Sequence, residues 1–282
     1  MTLTKYLSVV LLFLGTAFTT AQAQSLKTPA PSPNQKITQA FGLSEISVDY
    51  SRPSMKGRTI FGSLVPYDKI WRTGANGATK FTFGQDVMLQ GMKVPAGTYA
   101  LYTMPGKNKW TIMIYKDLTM GGNVTDYNTG DELIRFDVMP KMLKDKVESF
   151  TIEFANLTSN STDIQLLWDD VCVSIKTTVE IDKMVMDNIN KVMAQDSRPY
   201  YQAANYYYDN GKDMNKALEW VNTAISQNPK AYYMYATKAR IELKMNKKAE
   251  AAMSAKKVIE LAKEAKSDDY VAIGNDLLNQ AK

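Results

Sequence analysis

From residue 35 to 179 the apolar positions recur with a period of two. "EISVDY" alternates Ile46, Val48 and Tyr50. Phe81 and Phe83 follow, then Val87 and Leu89, Tyr99 and Leu101, Trp110, Ile112 and Ile114, and Phe150, Ile152 and Phe154. "DIQLLW" and "VCVSI" close the series. Gly91, Pro95-Ala96-Gly97, Pro105-Gly106, Gly121-Gly122, Asn156 to Asn160 and Asp169-Asp170 separate the runs as turn signals. Many short alternating strands with such turns predict an antiparallel β-sandwich or barrel, with one polar face per strand turned outward.

After Glu180 the period becomes helical. "IDKMVMDNINKVMAQD" puts Ile181, Met184 or Val185, Ile189 and Val192 on one face, and Arg198-Pro199 ends it. Further helices are predicted over about 199–210, 213–227, 231–245, 247–265 and 268–281, with "NG" at 210–211 and "NP" at 228–229 as turns. "KALEWVNTAIS" (216–226) aligns with "EAAMSAKKVIE" (250–260) at a shift of 34, and Ala204 aligns with Ala239 at a shift of 35. A paired-helix repeat near that length resembles the tetratricopeptide pattern. The second copy carries Asn246 in place of the expected glycine and lacks the closing proline. The expected fold is therefore α+β in two domains: an antiparallel β-sandwich over 35–179 and an all-α, tetratricopeptide-like repeat region over 180–282.

The first residues add a destination. Lys5, the apolar "YLSVVLLFLGTAF" and the A-x-A site Ala21–Ala23 read as a signal peptide over 1–23, cleaved after Ala23. No cysteine lies nearby, which disfavours a lipid anchor; an uncleaved membrane anchor is the alternative. "QSLKTPAPSPN" (24–34) is a Pro/Ser-rich linker. The expected location is periplasmic or secreted, with no membrane span in the mature chain.

Composition narrows the chemistry. Net charge falls from +5 to +4 once Lys5 is lost, and there is no basic block, so nucleic acid is not an expected partner. Histidine is absent and Cys172 is the single cysteine. These counts remove triad catalysis through histidine, zinc sites built on histidine, and an internal disulfide. Cys172, in "DVCVSIKTTV", reads as a small buried hydrophobe. No cofactor or metal is expected.

"SRPSMKGRTIFGSLVPYDKIWRTGANGATKFTF", followed by "VPAGTYALYTMPGKNKWTIMI", is similar to the domain of unknown function 2911, over roughly residues 35 to 178. That resemblance implies an exported, β-rich domain of Bacteroidetes-like bacteria, often with tetratricopeptide-type helices behind it. It implies no activity and transfers no catalytic residue.

Five groups of side chains are candidates. Arg52, Lys56, Arg58 and Arg72, with Asn76 and the Gly74–Gly77 amides, could hold an anionic ligand such as an acidic glycan. The same arginines could instead pair with Asp49, Asp68 or Asp86 and tether long loops. "GANGATK" lacks phosphate-loop spacing and precedes a strand, so it has no helix N-terminus to offer a nucleotide. "DYNTGDELIRFD" (126–137) breaks the calcium-loop pattern at Gly130 and Asp131 and reads as a polar hairpin. Trp71, Trp110, Trp168, Tyr99, Tyr102 and Tyr115 could stack on sugars or fill the core. On the helices, Tyr206, Tyr207, Tyr232 and Tyr235, within a larger set at 200–208 and 232–235, suit a protein or peptide partner.

These observations together point to an exported, non-catalytic binding or scaffold protein, engaging an anionic or glycan ligand, a protein partner, or both. One rival is a carbohydrate-active hydrolase with two carboxylates drawn from Asp49, Asp68, Asp86 and Glu153. Another is an envelope assembly module with no small-molecule ligand.

Overall fold

The computed structural model describes residues 28–194 and 199–282. The proposed signal peptide, the start of the linker and Arg198 lie outside them. The chain divides after Thr178 into two compact units.

The first unit holds two antiparallel sheets. Its strands are β1 (Asn34–Phe41), β2 (Ser44–Ser51), β3 (Thr79–Phe83), β4 (Val87–Leu89), β5 (Met92–Val94), β6 (Gly97–Pro105), β7 (Trp110–Tyr115), β8 (Glu132–Val138), β9 (Lys141–Ala155) and β10 (Ser161–Thr178). Six of them form one sheet in the order β1-β2-β3-β6-β7-β8; the other sheet runs β5-β4-β10-β9. The period-two pattern is the cause in β1 and β3, which alternate between buried or half-buried and exposed positions. β7 is buried on both faces, Trp110–Tyr115, and so is β6 over 100–103, because Leu118, Met120, Val124 and Tyr127 pack on Tyr102, Met113 and Tyr115. In β2, Ile46, Val48 and Tyr50 are buried, with Phe81 and Phe83 beside them in β3.

One expected turn is not a turn. Asp169-Asp170 lies inside β10, an 18-residue strand, where the pairing with β9 slips between Leu167 and Val171. Up to Trp168 the even-numbered residues are buried; from Val173 the odd-numbered ones are. An extra residue at a bulge inverts which positions face the core. Asp169 takes the left-handed conformation there, φ 54°. The local signal read from the sequence was real, but the strand carries on through it.

Two sheets need a fastening, and the chain after β2 supplies it. Tyr50 Oη accepts from the Ile152 amide at 2.9 Å and donates to Gln35 Oε1 at 2.8 Å. Met55 N donates to Glu148 O, and Phe150 N donates to Pro53 O. Ser54 bridges Ser149. The segment 50–55 thus leaves the first sheet and pairs with the free edge of the second, covering backbone groups that would otherwise stand open.

The second unit holds α1 (Asp182–Met193), α2 (Tyr200–Asp209), α3 (Met214–Gln227), α4 (Tyr232–Lys244), α5 (Lys248–Glu264) and α6 (Asp268–Gln280). Each helix from α2 to α6 packs on the next in the chain, and α4 also meets α6. Small residues set the spacing: Ala204, Ala217, Ala236, Ala239, Ala251 and Ala255 are buried. Gly274 is the tightest point, since a Cβ there would lie 2.7 Å from Ile259 Cγ1 and 3.2 Å from the Ile259 amide. Asp213 caps α3 by accepting from Asn215 N and Lys216 N. Among the described residues, no helix is long and apolar enough to cross a membrane.

Glu242 is the unit's buried carboxyl, 3% exposed, accepting from Ser254 Oγ at 2.7 Å with Lys238 Nζ at 3.8 Å. Burial raises its pKa above the ordinary value, outweighing the Ser254 hydrogen bond and the Lys238 charge. The folded state therefore binds this proton more tightly than the unfolded one. The site's contribution is favourable at acid pH and is lost as pH rises from the ordinary carboxylate value through the raised one. Glu242→Gln, which keeps an acceptor for Ser254, is expected to raise the urea midpoint at neutral pH, with the gain over the native chain shrinking as pH falls. A variant less stable at neutral pH would contradict this account.

Candidate functional site

The connection from residue 52 to 78 joins β2 to β3. Trp71 anchors it. Its backbone exchanges two hydrogen bonds with Thr103 of β6, at 2.7 and 2.9 Å. Its ring stacks on Trp168 at 5.9 Å and 19°, and meets Trp110, Phe150 and Phe61 edge-on. The indole N–H groups are already used: Trp71 Nε1 donates to Gly74 O and Trp168 Nε1 to Glu148 O. These rings therefore offer apolar surface only.

The loop after Trp71 is a backbone device. Thr73 is fully buried at φ 54° and Asn76 sits at φ 60°, both in the left-handed region. A β-branched residue holds that conformation only where its surroundings over-determine it. Here Thr73 Oγ1 bonds Thr103 Oγ1 at 2.9 Å, and Thr79 Oγ1 donates to Thr73 O. The chain at Gly122 presses against the same loop, where a Cβ would run into Asn76 O and Arg72 Nη1.

The four cations named from the sequence have different fates. Arg52 Nε donates to Phe150 O at 3.0 Å and Nη2 to Thr151 Oγ1 at 2.7 Å, so it ties the loop to β9. Lys56 is exposed at φ 49°, and only its backbone amide is engaged, donating to Glu148 Oε1 at 2.9 Å, among the described residues. Arg58 donates to Met55 O at 2.9 Å and Ser54 O at 2.6 Å, closing its own turn. Arg72 Nη1 donates to Asn76 O and Gly122 O at 3.0 and 3.1 Å. Asn76 spends its amide on Ser51 Oγ and Ser32 O.

The alternative of ion pairs with Asp49, Asp68 or Asp86 is not realised. Asp49 accepts from Asn34, and Asp86 pairs with Lys93 at 2.9 Å. The arginines instead donate to main-chain carbonyls, and Arg52 also to the Thr151 hydroxyl. Among the described residues, no carboxylate lies within ion-pair distance of Arg52, Arg58 or Arg72.

Arg58 and Arg72 come together at one cleft of ≈ 230 Å³, whose wall includes Trp71, Trp168, Gly74 and Ala75. Among the described residues, Arg58 Nη1 and Arg72 Nε and Nη2 make no hydrogen bond. The cleft therefore pairs two positive charges with spare donors over an aromatic wall. Arg52, Lys56 and Asn76 do not line it.

A second cleft, of ≈ 350 Å³, was not foreseen. Phe61, Tyr67, Lys107, Trp110, Lys146 and Asp169 are among its walls. Asp169 is 8% exposed, and its Oδ1 lies 2.8 Å from Lys146 Nζ. That oxygen is buried and accepts no aligned hydrogen bond, so the contact is an ion pair by distance alone. The signal available in the sequence was the slip in alternation between Trp168 and Val171.

The four named tyrosines have different surroundings, and Tyr232 joins a run of rings through Tyr233 to Tyr201. Tyr207 is 5% exposed, with its ring 4.8 Å from Trp220, and belongs to the helical core. Tyr206 donates to Asp182 at 2.9 Å, and burial followed by that bond pushes its pKa up to about 12. Tyr232 packs on Tyr270 at 4.8 Å; Tyr235 donates to Pro229 O at 3.3 Å.

A two-sheet antiparallel sandwich with both clefts walled by one long loop, followed by a helical unit, defines the class of this chain. It belongs to the family described as Protein of unknown function (DUF2911), whose profile matches residues 32–177. Comparison with curated proteins and with solved structures gives no match.

Arg52 makes two charge-assisted bonds across the sheets, whereas Lys56 makes no side-chain contact of that kind. Arg52→Ala is expected to lower the unfolding free energy by about 2 kcal/mol, and Lys56→Ala to stay within about 0.5 kcal/mol, both read by urea denaturation. Equal effects would refute the tether.

Proposed function

We propose that this chain is an exported, non-catalytic binding protein whose sandwich takes an anionic ligand, of the class of an acidic sugar or another small carboxylate. The carrying observation is the cleft of Arg58 and Arg72, two guanidiniums fixed by carbonyls and not neutralised by any nearby carboxylate. A guanidinium already oriented loses little freedom when it grips a carboxylate, and the stacked Trp71 and Trp168 wall keeps the site partly dry. Export rests on the leader sequence and gives a periplasmic or secreted location. A tetratricopeptide-type role for the helical unit, as its protein-docking half, is part of the same proposal; the 34-residue spacing and the sequential helix packing support it.

The hydrolase reading has less behind it. Asp49 is bound by Asn34 and Asp86 by Lys93, and neither these two nor Asp68 and Glu153 line the arginine cleft.

The test is calorimetric titration with glucuronate and galacturonate, against glucose as the neutral control. Uronate binding is expected to weaken with added salt, since charge attraction over distance is screened. Arg72→Lys keeps a charge for the two carbonyls but loses the fork; Arg58→Gln loses the charge. Each is expected to reduce uronate affinity about 10- to 100-fold, the equivalent of roughly 1.5–3 kcal/mol, with a single cooperative unfolding transition retained. No uronate binding, or binding indifferent to both substitutions, would sink the proposal.

A further inference from the structure

We propose that the Asp169–Lys146 cleft is a second ligand site, for a neutral sugar whose neighbouring hydroxyls bridge the carboxylate and the ammonium. The inference does not rest on the anion reading. It starts from the bulge in β10. Without the slip, Asp169, next after the inward-facing Trp168, would lie on the outward face of an alternating strand. With it, Asp169 is 8% exposed, left-handed at φ 54°, and part of the cleft wall. Bulges re-aim side chains in this way and concentrate next to binding sites.

The carboxylate is then short of partners. An ionised carboxylate has about four acceptor positions. Among the described residues, Asp169 has one ionic contact, to a lysine whose side chain is 64% exposed, and its buried Oδ1 accepts no aligned hydrogen bond. A buried acceptor left in that state is costly, and a ligand hydroxyl would relieve it.

The charges in the cleft select the kind of ligand. Asp169 and Asp170 face Lys146 and Lys107, two of each sign. An anion or a cation gains nothing net there, in contrast to the arginine cleft. A hydroxyl is both donor and acceptor. Two on adjacent carbons can therefore donate a hydrogen bond to Asp169 and accept one from Lys146, whose charged atoms lie 2.8 Å apart. Phe61 and Tyr67, both half-buried, supply the apolar wall that the C–H face of a pyranose needs, with buried Trp110 behind Phe61. A volume of ≈ 350 Å³ lies in the range of small-molecule sites.

The experiment is saturation-transfer NMR on the whole protein with glucose, galactose, mannose and N-acetylglucosamine as separate millimolar probes. Transfer to the ring protons of at least one sugar is expected. Asp169→Asn keeps a residue that tolerates positive φ and is expected to weaken the signal at least tenfold. Lys56→Ala, outside both clefts, is expected to retain it. Asp169→Gly guards against misreading a folding defect: it suits the left-handed backbone, so the melting temperature should hold while the sugar signal disappears. No transfer to any of the four sugars, or transfer that Asp169→Asn leaves intact, overturns the proposal. Uronate binding through Arg58 and Arg72 without any neutral-sugar signal would leave the anion reading standing and overturn this one.

Discussion

The first unit depends on one constraint: the chain leaving β2 must close the edge of the other sheet. Tyr50, Pro53 and Met55 do this through hydrogen bonds to Ile152, Phe150 and Glu148. Sandwich sheets are otherwise held by side-chain packing, which is non-directional and tolerates sliding. A short run of main-chain pairing between them fixes their offset. It also fixes where the 52–78 loop begins, and hence where Phe61, Trp71 and Arg72 can reach.

The aromatic group then divides the loop's surroundings. Trp71 and Trp168 wall one cleft, Phe61 and Trp110 the other. The rings lie 6.2 to 6.4 Å apart across that boundary. Their faces cost little to dry, whereas the charged groups on either side differ in sign balance. One side carries guanidiniums without carboxylates; the other carries matched acids and lysines. Two neighbouring depressions of similar wall chemistry thus have different electrostatic preferences, set by a few side chains each.

Period and punctuation made most of the elements legible. The alternation through β2, β3 and β7 and the helical spacing after Glu180 are consequences of local geometry, and local geometry is written in adjacent residues. The convergence of Arg58 and Arg72 was also legible, because both lie on one loop. The fastening of 50–55 to 148–152 was not, since it joins residues about a hundred positions apart through backbone groups that every residue possesses. Asp169 and Lys146 were missed for a related reason. They meet only because β9 and β10 pair in a particular register, with a slip that looks like a turn when read one strand at a time. Tyr207 shows the opposite limit: a tyrosine repeat does not reveal which rings the helices turn inward.

Cys172 stands just beyond the bulge, paired with Lys141 and 6% exposed. Burial raises its pKa, so in the closed sandwich it is a poor thiolate. The thiol is therefore shielded twice, by access and by ionisation, and both protections vanish together when β9 and β10 separate. In a chain with a single cysteine, that makes the sulfur a clock for the opening of the strand pair that carries Asp169, recorded by a covalent mark that accumulates with each excursion.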